Sequence, residues 1–279
     1  MDTNGILQNL SLPELEPAMN ENQAAYWTAV GEHASDIAEI YSNSKIAWLS
    51  SSIDMGYGYN FVMPLRLEKV EQDEAIIASI ERAKKHQVRT EWWISPAAVT
   101  DGLSERLTVH GFTYMGGPVG MAVDLMKLNE DISRPANFVI KHVENEVGLR
   151  EWVDTLVEGW PLPEVWRAHV FEGYAGFGLG ANLDLRHYVG YVDGVPVTAS
   201  SLLFAAGVAG IYAVATRPSF RGCGLGAIIT LTPLLQARDK GYRVGILQAS
   251  SLGHSVYKRL GFEDVFCYQS FQWPAPESA

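Results

Sequence analysis

Residues 210–262 read GIYAVATRPSFRGCGLGAIITLTPLLQARDKGYRVGILQASSLGHSVYKRLGF. The pattern predicts a strand, a glycine-rich loop, a helix, a second strand and a short helix. The loop RGCGLG, residues 221–226, lies where the first strand leads into the first helix. Several backbone N–H groups and the positive end of a helix should converge there, which suits a pyrophosphate. The glycines keep Cβ atoms away from the anion, and Arg221 adds a permanent positive charge.

Two other nucleotide-binding motifs do not fit this loop. A P-loop ends in Gly-Lys-Ser/Thr, whereas Ala227-Ile228 follow here. A dinucleotide-binding fold needs Gly-x-Gly-x-x-Gly and a later acidic residue. The glycines here are spaced Gly-x-Gly-x-Gly, and the second strand carries Gln248 without a carboxylate.

The order of motifs resembles the GNAT N-acetyltransferase superfamily. A strand ending in Val214-Ala215-Thr216 precedes the Arg-x-x-Gly-x-Gly loop, and the sequence YKRLGF begins at Tyr257. In that family the loop holds the pyrophosphate of acetyl-coenzyme A (acetyl-CoA), and no metal is involved. The resemblance implies that the coenzyme is bound by Val214, Ala215, Thr216, Arg221, Gly222, Cys223, Gly224, Leu225, Gly226, Ala227, Ser250 and Gly253.

The resemblance also implies roles in acyl transfer. In the family, the strand before the loop diverges from the next strand, and a free N–H stabilises the developing oxyanion; by position, this is the backbone of Val214. Tyr257 matches the tyrosine that protonates the leaving thiolate. A phenol with a pKa near 10 can donate to a thiolate with a pKa near 8.5. Alternatively, Tyr257 packs against Phe262 as a core residue.

The general base stays open. Candidates are Glu164, Glu172, His169, His187 and Tyr212, and many family members use ordered water instead. His254 lies three residues before Tyr257 on the same helical face, where it either orients Tyr257 or faces solvent.

Aromatic residues crowd the region that covers the acceptor site in the family. They are Trp152, Trp160, Trp166, Phe171, Tyr174 and Phe177. An aromatic acceptor pocket would involve Trp166, Tyr174 and, from the strand before the loop, Tyr212. The alternative is that these rings pack two helices onto the sheet.

The chain reads as two copies of one α/β (α+β) fold, each a mixed, mostly antiparallel sheet flanked by helices. We predict a loose arm over residues 1–20, a degenerate domain over 21–128, a linker over 129–137 and an acyl-CoA-binding domain over 138–275. The first copy has no glycine in residues 64–72, before its long helix, so it should not bind the coenzyme in the usual way. Pro233 should kink the helix after the loop.

Composition limits the function classes. The formal net charge is −11, from 32 acidic and 21 basic residues, which argues against nucleic acid as a partner. Neither a membrane helix nor a signal peptide is apparent, so we expect a soluble cytoplasmic protein. The two cysteines fit no zinc spacing and imply no disulfide framework. The sequence leaves open whether the chain is a monomer or a homodimer.

The expected function is transfer of an acetyl or other acyl group from acyl-CoA to a primary amine of a small molecule. One alternative is acetylation of protein lysines or N-termini. Another is a non-catalytic acyl-CoA sensor or scaffold. The first domain could form a lid or wall of the acceptor site.

Overall fold

The computed structural model describes residues 1–2, 5–32, 38–52, 60–99, 102–160, 162–164, 166–180 and 184–274. The α-helices are α1 (Leu12–Glu32), α2 (Gln72–His86), α3 (Leu103–Val109), α4 (Glu146–Gly159), α5 (Trp166–Phe177), α6 (Leu225–Asp239) and α7 (His254–Arg259). The strands are β1 (Ala38–Ser42), β2 (Ile46–Ser51), β3 (Asn60–Pro64), β4 (Thr90–Ile94), β5 (Thr113–Gly116), β6 (Val119–Asp124), β7 (Phe138–His142), β8 (Leu185–Val192), β9 (Val195–Ala205), β10 (Val208–Thr216), β11 (Val244–Ala249), β12 (Glu263–Cys267) and β13 (Gln269–Trp273). Ala275, the predicted end of the second domain, lies outside these described residues.

The strands form two mixed sheets. The first has the order β1-β2-β3-β4-β13-β5 and the second the order β12-β6-β11-β10-β9-β8-β7. One pair in each sheet is parallel, β3 with β4 and β10 with β11, and the other pairs are antiparallel. A helix connects each parallel pair, as such crossovers require. This architecture confirms the predicted α/β class with two mostly antiparallel sheets.

The two halves of the chain exchange strands. β6 comes from the first half but lies between β11 and β12 of the second sheet. β13, near the end of the chain, lies between β4 and β5 of the first sheet. The predicted linker therefore does not separate the strands of one sheet from those of the other. Each sheet contains one strand from the opposite side of the linker in the sequence. Hydrophobic pattern alone does not show which sheet a strand joins.

The prediction of a loose arm over residues 1–20 is wrong. Residues 12–32 form the single helix α1, and the backbone N–H of Leu7 bonds to the carbonyl of Gly207 at 2.9 Å. Leu7, Leu15 and Met19 are fully or almost fully buried, in an apolar cluster with residues of β6, β10 and β11. The first helix of the chain thus packs on the second sheet.

Helix α6 continues through Pro233 to Asp239. Proline cannot donate to the carbonyl four residues earlier, which here belongs to Ile229. The hydroxyl of Ser200 on β9 donates to that carbonyl at 2.9 Å. A side chain of the sheet thus replaces the hydrogen bond that Pro233 removes.

Candidate active site

The parallel strands β10 and β11 separate soon after they meet. Their register pairs are Ala209 with Gly245 and Gly210 with Ile246. Beyond these pairs β10 continues to Thr216 and β11 to Ala249 without pairing to each other. The facing backbone edges of the two strands therefore form an open wedge at their carboxyl ends.

A β-bulge lies at the edge of this wedge. The register of β10 with β9 shifts between Tyr212 and Ala215, and Ala213 has a φ of 50°. A bulge leaves residues outside the ladder and turns the strand. The carbonyl of Val214 accepts a hydrogen bond from the indole nitrogen of Trp160 at 3.0 Å. The bulge thus leaves Val214 outside the ladder with β9, and Trp160, which follows α4, binds its carbonyl.

The glycine-rich loop leads into α6 and leaves backbone N–H groups there without hydrogen-bond partners. Gly222 and Gly224 have φ values of 78° and 77°, and an added Cβ would meet nothing within 4 Å at either. Glycine is therefore required by backbone conformation rather than by crowding. Five successive backbone N–H groups, those of residues 222–226, have no hydrogen-bond partner within the described parts of the chain. The N–H of Ala227 is already bonded to the carbonyl of Gly224 at 3.1 Å, so Ala227 adds no free donor.

Arg221 fastens the loop to its surroundings. Its Nε donates to the carbonyl of Thr216 at 3.2 Å, and its Nη2 donates to the carbonyl of Gly159 at 2.6 Å. The guanidinium therefore links the end of β10 to the end of α4 while its positive charge stays beside the loop. The other predicted side chains divide by exposure: Cys223 is exposed, whereas Ala215, Leu225 and Ala227 are buried.

Tyr257 lies on α7 with 8% of its surface exposed. It packs against Phe262, with ring centroids 6.0 Å apart, in the apolar cluster that Val214 also contacts. Its hydroxyl hydrogen-bonds to no other described residue, and burial raises its pKa above the usual value. A Cβ on Gly253 would lie 2.8 Å from Cε2 of Tyr257, so Gly253 allows the ring to pack closely on the start of α7. Tyr257 is thus a core residue that remains protonated at neutral pH.

A cavity of about 690 Å³ opens where β11 leads into α7. The predicted coenzyme residue Ser250 lines it, together with Ala249 and His254. The Nε2 of His254 lies 2.9 Å from a carboxylate oxygen of Asp264. His254 therefore pairs with Asp264 and faces the cavity.

The three predicted acceptor residues are all buried. Trp166, Tyr174 and Tyr212 are 3%, 3% and 8% exposed. Tyr174 and Tyr212 meet at Tyr26 of α1, whose hydroxyl lies 2.6 Å from that of Tyr174 and whose ring stacks on Tyr212 at 3.9 Å. The hydroxyl of Tyr212 donates to Oδ1 of Asn22 at 2.6 Å. A helix from the first half of the chain therefore occupies the space beside these side chains, which the sequence analysis did not foresee.

The candidates for general base lie in ion pairs, in the core or at the surface, away from the cavity. Glu164 is exposed and forms an ion pair with Arg167 at 2.7 Å, and Glu172 is exposed. His187 is 2% exposed, its Nδ1 lies 2.8 Å from the hydroxyl of Ser201, and burial lowers its pKa to about 3. His169 has a buried Nδ1 without a partner. None of these residues lines the cavity beside α7.

No group of three or more potential metal ligands occurs among the residues that the structure describes. Within the same ranges, no helix is long and apolar enough to cross a membrane.

The site combines a splayed parallel pair, a β-bulge and a loop at the start of α6 whose five N–H groups have no partner among the described residues. Such donors at a helix N-terminus suit an anion. Residues 146–262 match the model of the Acetyltransferase (GNAT) family. The second half of the chain thus carries a GNAT-family domain, and the two sheets share the fold of a tandem GNAT protein.

Solved structures share the fold over most of the chain. A GCN5-related N-acetyltransferase from Kribbella flavida is 18% identical, with a TM-score of 0.66 over 91% of this chain and 96% of that one. A tandem GNAT protein from the clavulanic acid biosynthesis pathway is 15% identical, with a TM-score of 0.57 over 98% of each chain. A GCN5-related N-acetyltransferase from Sphaerobacter thermophilus is 13% identical, with a TM-score of 0.57 over 92% of each chain. No curated protein matches the sequence.

Proposed function

We propose that the second half of the chain is an acyl-CoA-dependent N-acyltransferase that acts on the primary amine of a small molecule. The observation that carries the proposal is the row of five free N–H groups at residues 222–226, next to the wedge between β10 and β11. Free donors at a helix start favour a pyrophosphate. The match of residues 146–262 to the GNAT family model supports acyl transfer as the reaction class.

Acyl-CoA fits these features of the chain. The N–H groups of the loop would hold its pyrophosphate, and the unpaired edges of β10 and β11 would bond to the amide groups of its pantetheine arm. Ala215 and Thr216 lie on one side of the wedge, and Ser250 follows the strand on the other. The bound coenzyme supplies an activated acyl group as a thioester.

Two groups of this chain would assist the transfer. The backbone N–H of Val214, placed by the bulge, would stabilise negative charge on the acyl oxygen. Tyr257, whose phenol is protonated at neutral pH, would give its proton to the leaving sulfur as the amine attacks the thioester carbonyl and the C–S bond breaks.

Calorimetric titration of acetyl-CoA into three glycine variants tests the proposal. Gly224→Asp adds a carboxylate at the start of α6, where it would repel a pyrophosphate, and Gly224→Asn adds similar bulk without the charge. Gly241→Asp is the matched control, because Gly241 follows the other end of α6, has a φ of 93°, and would also meet nothing within 4 Å. All three substitutions carry the backbone strain of a positive φ.

We expect the wild type and Gly241→Asp to bind one acetyl-CoA per chain, and Gly224→Asp to bind at least about tenfold more weakly than Gly224→Asn. Equal affinity of all variants would contradict the proposal. Coenzyme binding without transfer to any amine would favour the sensor alternative. Transfer to peptides but not to free amines would favour the protein-modifying alternative.

A further inference from the structure

The cavity beside α7 is built by both halves of the chain. One wall consists of β4 and β13 of the first sheet, including Glu91 and Ser270. The opposite wall consists of the end of β11 and the start of α7. The connection from β5 to β6, where the chain passes from one sheet to the other, closes a third side. The strand exchange therefore creates this space.

The cavity adjoins the candidate active site. Ala249 lines the cavity and also packs in the apolar cluster that contains Tyr257. β11, which ends at Ala249, forms one side of the wedge proposed to hold the coenzyme. A molecule in the cavity would thus lie at the carboxyl end of that strand.

Glu91 is the only carboxylate among the described residues that line the cavity. It is partly buried and accepts a hydrogen bond from the hydroxyl of Ser270, and the positive charge of Arg89 offsets only a part of the cost of its burial. Burial raises its pKa. A carboxylate in this setting gains from the arrival of a cation, because the cation offsets the cost of desolvation.

Two further groups support a polar ligand. Asn60 lines the cavity and is 6% exposed. Its side-chain nitrogen is buried and has no hydrogen-bond partner among the described residues. Arg89 is exposed and also lines the cavity, two residues before Glu91. The lining thus offers an acceptor for a cation, a free amide donor, and a guanidinium at the exposed edge.

We infer that this cavity receives the acyl acceptor, a small amine that also carries a carboxylate, with its ammonium group bound by Glu91 and its carboxylate directed towards Arg89. The bound ammonium gives one proton to solvent, and the neutral amine then attacks the thioester carbonyl as the coenzyme thiolate leaves. The inference rests on the proposed N-acyltransferase function and names its substrate class. Ser270 acts as a positioning residue that holds the carboxylate of Glu91. The first half of the chain therefore supplies the group that recognises the acceptor.

Kinetic measurements with matched amines test this inference. Release of the coenzyme thiol is followed with the twenty amino acids and with the amines that lack their α-carboxylate, such as serine against ethanolamine and lysine against cadaverine. We expect wild-type kcat/KM to be at least about tenfold higher for the carboxylate-bearing member of a reactive pair. Equal values for both members would overturn the assignment of a zwitterionic acceptor.

Variants at the two charged positions should separate their roles. Glu91→Gln should raise KM about 10- to 100-fold for both members of a pair, because a charge-assisted hydrogen bond is lost. Arg89→Met should raise KM for the amino acid but leave the KM of the decarboxylated amine unchanged. An unchanged KM in Glu91→Gln would overturn the inference.

A third variant does not disturb Glu91 or its hydrogen bonds. Met115 is 46% exposed and lines the cavity, so Met115→Lys places a positive charge near its entrance. We expect this variant to raise KM for the amine, whereas Met126→Lys, at a residue that is 61% exposed and outside the lining, should not. Equal KM values in the two lysine variants would contradict the inference.

Acetyl-CoA titration of each variant distinguishes failure of the proposed N-acyltransferase function from failure of the acceptor assignment. Coenzyme affinity should stay within about twofold of the wild type, since none of these residues lies in the loop. A chain that binds no acetyl-CoA overturns the proposed function. A chain that binds acetyl-CoA and transfers to decarboxylated amines as readily as to amino acids overturns the present inference alone.

Discussion

Asn22 is the residue through which α1 is most tightly joined to the second sheet. It is fully buried, its Oδ1 accepts from the hydroxyl of Tyr212 at 2.6 Å, and its Nδ2 donates to the carbonyl of Ala205 at 2.9 Å. A Cβ on Gly210 would lie 2.2 Å from Oδ1 of Asn22, so β10 approaches this side chain too closely for any residue other than glycine. Removing the amide leaves a buried hydroxyl without a partner.

We therefore expect Asn22→Ala to lower the free energy of unfolding by about 3 kcal/mol. About 2 kcal/mol comes from the unsatisfied hydroxyl of Tyr212 and about 1 kcal/mol from the bond to Ala205. Tyr212→Phe alone should cost about 1.5 kcal/mol, because it leaves Oδ1 of Asn22 unpaired. In the double variant neither unpaired group remains, so the loss should be about 2 kcal/mol smaller than the sum of the single losses.

Urea unfolding followed by tryptophan fluorescence measures this double-mutant cycle. Asn137→Ala is the control, because Asn137 makes an equally short side-chain hydrogen bond, to Asp193 at 2.6 Å, at an exposed site. It should cost less than about 0.5 kcal/mol. If the loss in the double variant equals the sum of the two single losses to within about 0.5 kcal/mol, the hydrogen bond between Tyr212 and Asn22 is not the source of the stability.

Two further predictions concern the titrating groups. Tyr257→Phe should lower kcat about 100-fold with unchanged acetyl-CoA affinity, since a general acid acts on the departing sulfur and not on binding; unchanged kcat in steady-state assays would return Tyr257 to a purely structural role. Burial lowers the folded-state pKa of His187 to about 3, below the unfolded value near 6.5, so the unfolded chain binds more protons between these values. The stability associated with neutral His187 is thus complete above pH 6.5 and is lost as the pH falls. Between pH 7.5 and pH 5.5 the wild type should lose about 1.4 kcal/mol more than His187→Gln in urea unfolding, and equal losses would contradict this assignment.

The conformation of the glycine-rich loop could be predicted because its signals are local. Gly222 and Gly224 are required by positive φ values, and the apolar pattern of the flanking strands is strong. The contribution of α1 could not be predicted in the same way. Asn20, Asn22 and Gln23 look like the solvated face of a helix, yet they are 4%, 0% and 2% exposed. Their partners lie far away in the sequence, such as Tyr268 for Asn20 at 3.0 Å.

The position of Glu91 in the cavity wall could not be predicted from the sequence either. In the sequence TEWWIS it appears as one polar position in an aromatic strand, with no motif around it. Its place in the cavity wall follows from β13, which pairs with β4 and places Ser270 beside it. Alternation along a strand predicts which residues share a face but does not identify the neighbouring strand.

The strand exchange determines how a role of the first half can be tested. Deleting residues 1–128 would remove β6 and leave the facing edges of β11 and β12 unpaired, and it would strip β13 of both neighbours. It would also expose Val208, Val244 and Ile246, which α1 and Leu7 now cover. Exposed strand edges and apolar surface favour aggregation, so loss of activity in such a fragment would not distinguish a missing acceptor wall from a missing fold. Point substitutions at Glu91 and Met115 leave both sheets complete, and they are therefore the variants through which the first half can be assigned a part in recognising the acceptor.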